Sequence, residues 1–180
     1  MGRYRILIGN IVADEILVNH DLIVNPTNPQ MVAGSGAAGA IFKKAGVDTL
    51  EAYTQSHYDI NYFSDNYKVE NIMKVGDIRI TPGFNLCMDI MFVQGPKYWE
   101  YAEPTQVLFD VYNKLLKEAL DNGYKNILLP SLGTGVYGFE HSKIGKEVTK
   151  ILEEFTKCND INIDLVLFDE MDKVYYWFLI

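Results

Sequence analysis

Residues 127–138 decide the fold: Ile127-Leu128-Leu129-Pro130-Ser131-Leu132-Gly133-Thr134-Gly135-Val136-Tyr137-Gly138. Three consecutive apolar residues read as a strand covered on both faces, because a half-exposed strand would alternate apolar with polar. That strand runs through Pro130 into a GxGxxG spacing at Gly133, Gly135 and Gly138, and an amphipathic helix is expected over His141–Phe155. The order strand, glycine turn, helix is the α/β unit, and the chain on either side repeats it. Arg3–Ile8 is a β-type run ending at Gly9, and Leu22-Ile23-Val24 runs into the turn-forming Asn25-Pro26-Thr27-Asn28-Pro29. Asp77–Thr81 and Asp89–Val93 read as strands closed by Pro82-Gly83 and Gly95-Pro96. Pro104–Leu120 places Val107, Leu108, Val111, Leu115, Leu116 and Ala119 at helical spacing, with Pro104 suited to the first turn and Gly123 beyond the end. Ile163–Phe168 reads as a further strand and Met171–Phe178 as a closing helix. Strands alternating with helices predict an α/β sheet with helices on both faces.

Composition narrows the partners. The 180 residues suit one domain, 1–180, with a Tyr-rich excursion at about 53–74 that reads as a surface segment or a lid. Sixteen basic against twenty-four acidic side chains leave a net charge of −8, which argues against the clustered Lys and Arg of a nucleic-acid surface. No uncharged apolar run is long enough to cross a bilayer, and Met1–Asn10 lacks the apolar core of a secretory leader, so no membrane partner is expected. Cys87 and Cys158 have no CxxC spacing and read as reduced thiols, which makes a cytoplasmic location the expectation.

A second GxGxxG lies at Gly34-Ser35-Gly36-Ala37-Ala38-Gly39. Glycine lets the backbone approach a ligand closely, and the helix that follows aims unpaired N–H groups and its positive dipole end at an anion. An acidic protein can hold a diphosphate in this way without local lysines. Neither loop continues into the Lys-Ser/Thr of a P-loop, since Gly39 is followed by Ala40-Ile41 and Gly138 by Phe139-Glu140. A dinucleotide fold is a weaker reading, because too little chain follows Gly138 for its remaining strands. His20, His57 and His141 have no Cys or Ser elbow and no metal spacing beside them; His20 and His141 read as solvated surface residues, and only His57 with Asp59 offers an acid–base pair. No HExxH or CxxC is present, so no metal and no cofactor are expected.

Taken together the motifs resemble the macro domain, an ADP-ribose-binding α/β module. Gly9-Asn10-Ile11 resembles that family's Gly-Asp-Ile, Val24-Asn25-Pro26-Thr27-Asn28 its Val-Asn-Ala-Ala-Asn, Gly34–Gly46 its first glycine loop and helix, and Pro130–Gly138 its second phosphate loop. The resemblance implies a three-layer α/β/α sandwich with a mixed, mostly parallel central sheet. It implies that Asn10 and the backbone of Ile11 face the adenine and that Phe168 packs on it. It gives the diphosphate to Gly34, Ser35, Gly36, Ala37, Ala38, Gly133, Thr134, Gly135 and Val136, and the distal ribose to Asn28 and Tyr137. One branch of the family carries an Asp and a His where this chain has Ala38 and Phe42, so the resemblance is nearest to members lacking the loop Asp. The activity implied is hydrolysis of an ADP-ribosyl ester or of O-acetyl-ADP-ribose, with Asn28 orienting ribose or water. The alternatives are a non-catalytic reader of ADP-ribose, free or on a protein, and a binder of some other nucleotide diphosphate.

Overall fold

Alternate residues along each central strand sort into two separate cores. The computed structural model describes residues 1–60 and 71–177. In it Leu22 and Val24, Met91 and Val93, Ile127 and Leu129, and Ile163, Leu165 and Leu167 point to one side of a sheet, while Ile23, Ile90 and Phe92, Leu128 and Val166 point to the other. A strand whose period-2 neighbours are both apolar needs a layer on each face, and helices supply both. The strands are β1 (Tyr4–Ile8), β2 (Leu22–Pro26), β3 (Ile78–Thr81), β4 (Asp89–Val93), β5 (Asn126–Pro130) and β6 (Asn162–Leu167). The helices are α1 (Asp14–Leu17), α2 (Gly36–Ala45), α3 (Val47–His57), α4 (Pro104–Asp121) and α5 (His141–Cys158). Leu108, Val111 and Leu115 of α4 and Ile144, Val148 and Leu152 of α5 fill the first core. Ile16 of α1, Ile41 and Phe42 of α2 and Leu50 of α3 fill the second. The result is the expected three-layer sandwich.

Strand order is β1-β6-β5-β2-β4-β3, parallel throughout except for the antiparallel edge strand β3. The pairing of β2 with β5 is short. It ends at Ile23↔Leu128, whereas β2 stays with β4 to Pro26↔Val93 and β5 stays with β6 to Pro130↔Val166. After β2 the chain turns to α2 on one face, and after β5 it turns to α5 on the other. Two strands whose exits diverge leave a crevice between their carboxyl ends, where open α/β sheets bind ligands.

The elements depart from the sequence reading at the C-terminal turn and at α3. Met171–Phe178 is not an α-helix: Glu170–Tyr176 forms a 3₁₀ turn, and Phe178 lies outside the described residues. The Tyr-rich excursion begins inside α3, which holds Tyr53 and His57, and its stretch 61–70 lies outside the described residues. Helix α3 escapes a periodicity search because it buries only Leu50 and Thr54.

Candidate functional site

A cavity of about 480 Å³ opens at the β2/β5 split, within the size range of small-molecule sites. Its wall combines three sources: the exit of β2 with the first glycine loop, the exit of β5 with the second, and the end of β6. Asn28, Gly34–Ala38, Gly133–Tyr137 and Phe168, all singled out from sequence, line it together.

The first loop is shaped by two glycines with different tasks. Gly36 has φ +58, and nothing lies within 4 Å of where its Cβ would be. Gly39 has no room for a Cβ, which would meet the Gly34 carbonyl oxygen at 2.3 Å. The loop therefore folds directly onto the start of α2. The first helical bond runs from Gly39 N–H to the Ser35 carbonyl at 3.3 Å, so the amides of Gly36, Ala37 and Ala38 precede the hydrogen-bonded ladder and face the cavity as donors. Among the described residues lining the cavity there is no lysine or arginine. The donors on offer to an anion here are backbone N–H groups at the positive end of the α2 dipole.

Asn28 is locked in place. Its Nδ2 donates to the Val32 carbonyl at 2.8 Å and its Oδ1 accepts from Val32 N–H at 3.1 Å. Each of these atoms keeps a second donor or acceptor position. Helix α3 braces the same segment: Glu51 accepts from Ala33 N–H at 2.8 Å, and Thr54 Oγ1 donates to the Met31 carbonyl at 3.0 Å. On the second loop, Gln94 Nε2 donates to the Tyr137 hydroxyl at 3.0 Å, which ties that ring to the end of β4. Ala38 is almost buried, 7% exposed, where a loop acid would stand.

At the β6 end Phe168 is 86% exposed. A strand-end Phe is more often core; this one projects from the cavity wall. Asn10 and Ile11 are not among the residues lining the cavity. The Asn10 Oδ1 accepts from Val12 N–H at 3.1 Å, an Asx turn, and Ile11 is 5% exposed in the second core. Pro26, Thr27, Pro130 and Ser131, which the motifs contain but to which no ligand contact was given, are on the wall as well, with His141, Val166, Leu167 and Asp172. Val166 and Leu167 follow once the register is known, and no sequence signal marks them.

His141 and His20 are not solvated. The His141 side chain is 22% exposed, hydrogen-bonded through Nδ1 to the Tyr176 hydroxyl at 2.8 Å and facing Asp172 through Nε2 at 3.3 Å. Burial holds its pKa below the ordinary histidine value despite the opposing Asp172 charge. His20 is 6% exposed at the opposite end of the sheet, where its Nε2 meets Asp164 at 2.9 Å. His57 stacks on Tyr53 with ring centroids 4.9 Å apart, and neither His57 nor Asp59 lines the cavity. Cys87 and Cys158 are exposed and unbridged.

A model of the Macro domain family matches residues 24–147, from β2 through both loops into α5. The chain belongs to the macro domain family. This macro domain is 33% identical over 136 residues to a macro domain-containing protein of Vibrio parahaemolyticus, covering 72% of each chain. It is 31% identical over 161 residues to an O-acetyl-ADP-ribose deacetylase of Escherichia fergusonii, covering 87% of this chain and 85% of the relative. Among solved structures, an Oceanobacillus iheyensis macrodomain with ADP superimposes with a TM-score of 0.79 at 24% identity, covering 97% of this chain and 88% of the other. A Trypanosoma brucei macrodomain in complex with ADP-ribose gives 0.72 at 23% identity, covering 96% and 67%. Both structures share the fold described above.

Proposed function

We propose that this macro domain binds ADP-ribose, free or attached to a protein, in the cavity at the β2/β5 split, and hydrolyses an acyl ester on the distal ribose. The observation that carries the reading is the wall itself. Two glycine loops share an opening with no lysine or arginine among its described lining residues, an exposed aromatic ring stands at the β6 end, and a locked Asn28 stands at the β2 end. That arrangement fits an adenine, a diphosphate and a second ribose in sequence, and the relative named O-acetyl-ADP-ribose deacetylase supports the ester as substrate.

Asn28 cannot take a proton at neutral pH, and Ala38 offers none of the chemistry of an acid. The chain's contribution is position. The second Nδ2 hydrogen of Asn28 orients the ribose oxygen or the attacking water, and loop amides stabilise the oxyanion formed on the acyl carbonyl. Water adds to that carbonyl as one of its protons passes to a ligand phosphate oxygen, and the phosphate returns that proton to the ribose oxygen as the acyl–ribose C–O bond breaks, giving the carboxylic acid and ADP-ribose. Positioning with oxyanion stabilisation accounts for roughly 10²–10⁴ in rate. The almost buried Ala38 favours a second reading, a module that binds the same ligand without turnover.

Asn28→Ala decides between them. In the hydrolase reading it removes turnover of O-acetyl-ADP-ribose while calorimetry still shows ADP-ribose bound. A wild type that binds ADP-ribose and never releases acetate is a reader, and a variant as fast as wild type ends the Asn28 assignment.

A further inference from the structure

Four polar side chains form a cluster along the β6 side of the cavity, and of them only Ser131 falls within the macro motifs. Ser131 Oγ lies 2.6 Å from the Tyr176 hydroxyl, that hydroxyl lies 2.8 Å from His141 Nδ1, and His141 Nε2 lies 3.3 Å from Asp172 Oδ2. Ser131, His141 and Asp172 line the cavity, and Tyr176 is buried behind them.

The Asp172 charge favours the His141 tautomer with its proton on Nε2, the nitrogen 3.3 Å from the carboxylate, although the two make an ion-pair contact and not a hydrogen bond. In that tautomer Nδ1 accepts from the Tyr176 O–H. Burial keeps that phenol protonated, holding its pKa well above the ordinary tyrosine value, and keeps His141 neutral. The Tyr176 oxygen in turn accepts from Ser131. The Asp172 carboxylate, 31% exposed, is the charged acceptor that this cluster brings to the cavity wall. The support is rigid. Asp169 accepts from Met171 N–H at 2.9 Å, Asp172 N–H reaches the Asp169 carbonyl at 3.2 Å, and the Tyr176 carbonyl accepts from Thr149 Oγ1 at 2.7 Å, pinning the turn to α5.

Resting on the ADP-ribose reading, we propose that Asp172 is the specificity-determining residue for the nucleoside end of the ligand: its carboxylate accepts a hydrogen bond from the nucleoside, and His141 is the positioning residue that aims it. Asn10, to which the resemblance gave this contact, has one Oδ1 lone pair taken by Val12 N–H and is not among the described residues lining the cavity. Asp172 stands four residues beyond the exposed Phe168, and both line the same cavity. The shared chemistry is a donor, either the exocyclic amine of adenine or a hydroxyl of the adjoining ribose.

Calorimetry with ADP-ribose, inosine diphosphate ribose, 2′-deoxyadenosine diphosphate ribose and ribose 5-phosphate tests this, on wild type and on the isosteric Asp172→Asn. Asp172→Asn should lose tenfold or more for ADP-ribose and nothing for ribose 5-phosphate. In wild type, the analogue lacking the true donor should bind tenfold or more weaker than ADP-ribose: the inosine ligand if it is the amine, the deoxy ligand if it is the hydroxyl. Asp172→Asn should no longer separate that pair. His141→Leu should shrink the same selectivity ratio and His141→Gln, which keeps an N–H donor, should restore it; partial unfolding would lower both affinities together and leave the ratio alone. An Asp172→Asn affinity within twofold of wild type, or a wild type that separates neither analogue, overturns the assignment. An unchanged ratio in His141→Leu overturns the positioning role. A wild type that binds no ADP-ribose overturns the cleft reading and this one with it.

Discussion

Replacing Phe168 by alanine separates a ligand contact from a fold contact more sharply than any other change in the molecule. The ring is 86% exposed, so its removal takes almost nothing from either core. Thermal unfolding should move by no more than about 0.5 kcal/mol, the usual range for surface substitutions. Binding is a different matter. If a base covers one face of the ring, the ring face and the base together remove on the order of 100 Å² of surface from water, worth about 2.5 kcal/mol at 25 cal/mol per Å². That agrees with the roughly 1–3 kcal/mol per base found for base–aromatic stacking, and it corresponds to a loss of about 5- to 150-fold in affinity. The assay is calorimetric titration at one fixed salt concentration with ADP-ribose, and with ribose 5-phosphate as a ligand lacking the base. Phe168→Ala should weaken the first and leave the second unchanged, and Phe168→Trp should restore the first. Equal ADP-ribose affinity in wild type and Phe168→Ala would refute the stacking, and with it the placing of the base at the β6 end. A large fall in unfolding temperature would refute the claim that the ring is idle in the fold.

Other outcomes follow from the same geometry. Gly39→Ala drives a Cβ to within 2.3 Å of the Gly34 oxygen, so the first loop must lift from α2; denaturant unfolding should show a loss of about 1–3 kcal/mol and calorimetry a weakened diphosphate contact. Asn28→Ala removes both bonds to Val32 and should lower stability by about 1–2 kcal/mol in addition to halting hydrolysis, which Asn28→Asp, keeping an acceptor for Val32 N–H, should moderate in a melting experiment. Asp164 is 2% exposed and bonded by Arg5 Nε at 2.7 Å, Arg5 Nη2 at 2.5 Å and His20 Nε2 at 2.9 Å. Burial pushes its pKa up, but those hydrogen bonds outweigh it and hold the carboxyl well below the ordinary carboxylate range. The folded state therefore binds fewer protons at this site than the unfolded chain. Its stabilisation is complete above about pH 4 and is lost progressively as the pH falls further. Unfolding followed from pH 7 to pH 3 should show this acid-side loss in wild type and a flatter profile in Asp164→Asn, already lower by about 1–3 kcal/mol at pH 7.

Much of the fold is legible in the sequence because it depends on periodicity and on local backbone chemistry. Ile127–Leu129 could only be a strand covered on both faces, Pro104–Leu120 could only be an amphipathic helix, and the glycines at 34–39 and 133–138 could only be strand-to-helix turns in such a chain. Those are short-range facts, and the motifs from Gly9-Asn10-Ile11 to Pro130–Gly138, taken together, were enough to suggest the macro family. Helix α3 was hidden because tertiary packing, and not an apolar stripe, holds it in place. The site needed more. That β2 and β5 part after Ile23↔Leu128 is a property of pairing between strands some hundred residues apart. So is the contact of Ser131, His141, Asp172 and Tyr176 across the ends of β5, α5 and the final turn. Phe168 has the same identity whether it is core or exposed, and His20 whether it is solvated or buried against Asp164. Only the folded chain decides such cases, because burial and hydrogen-bond partners belong to pairs of distant residues and not to any one of them.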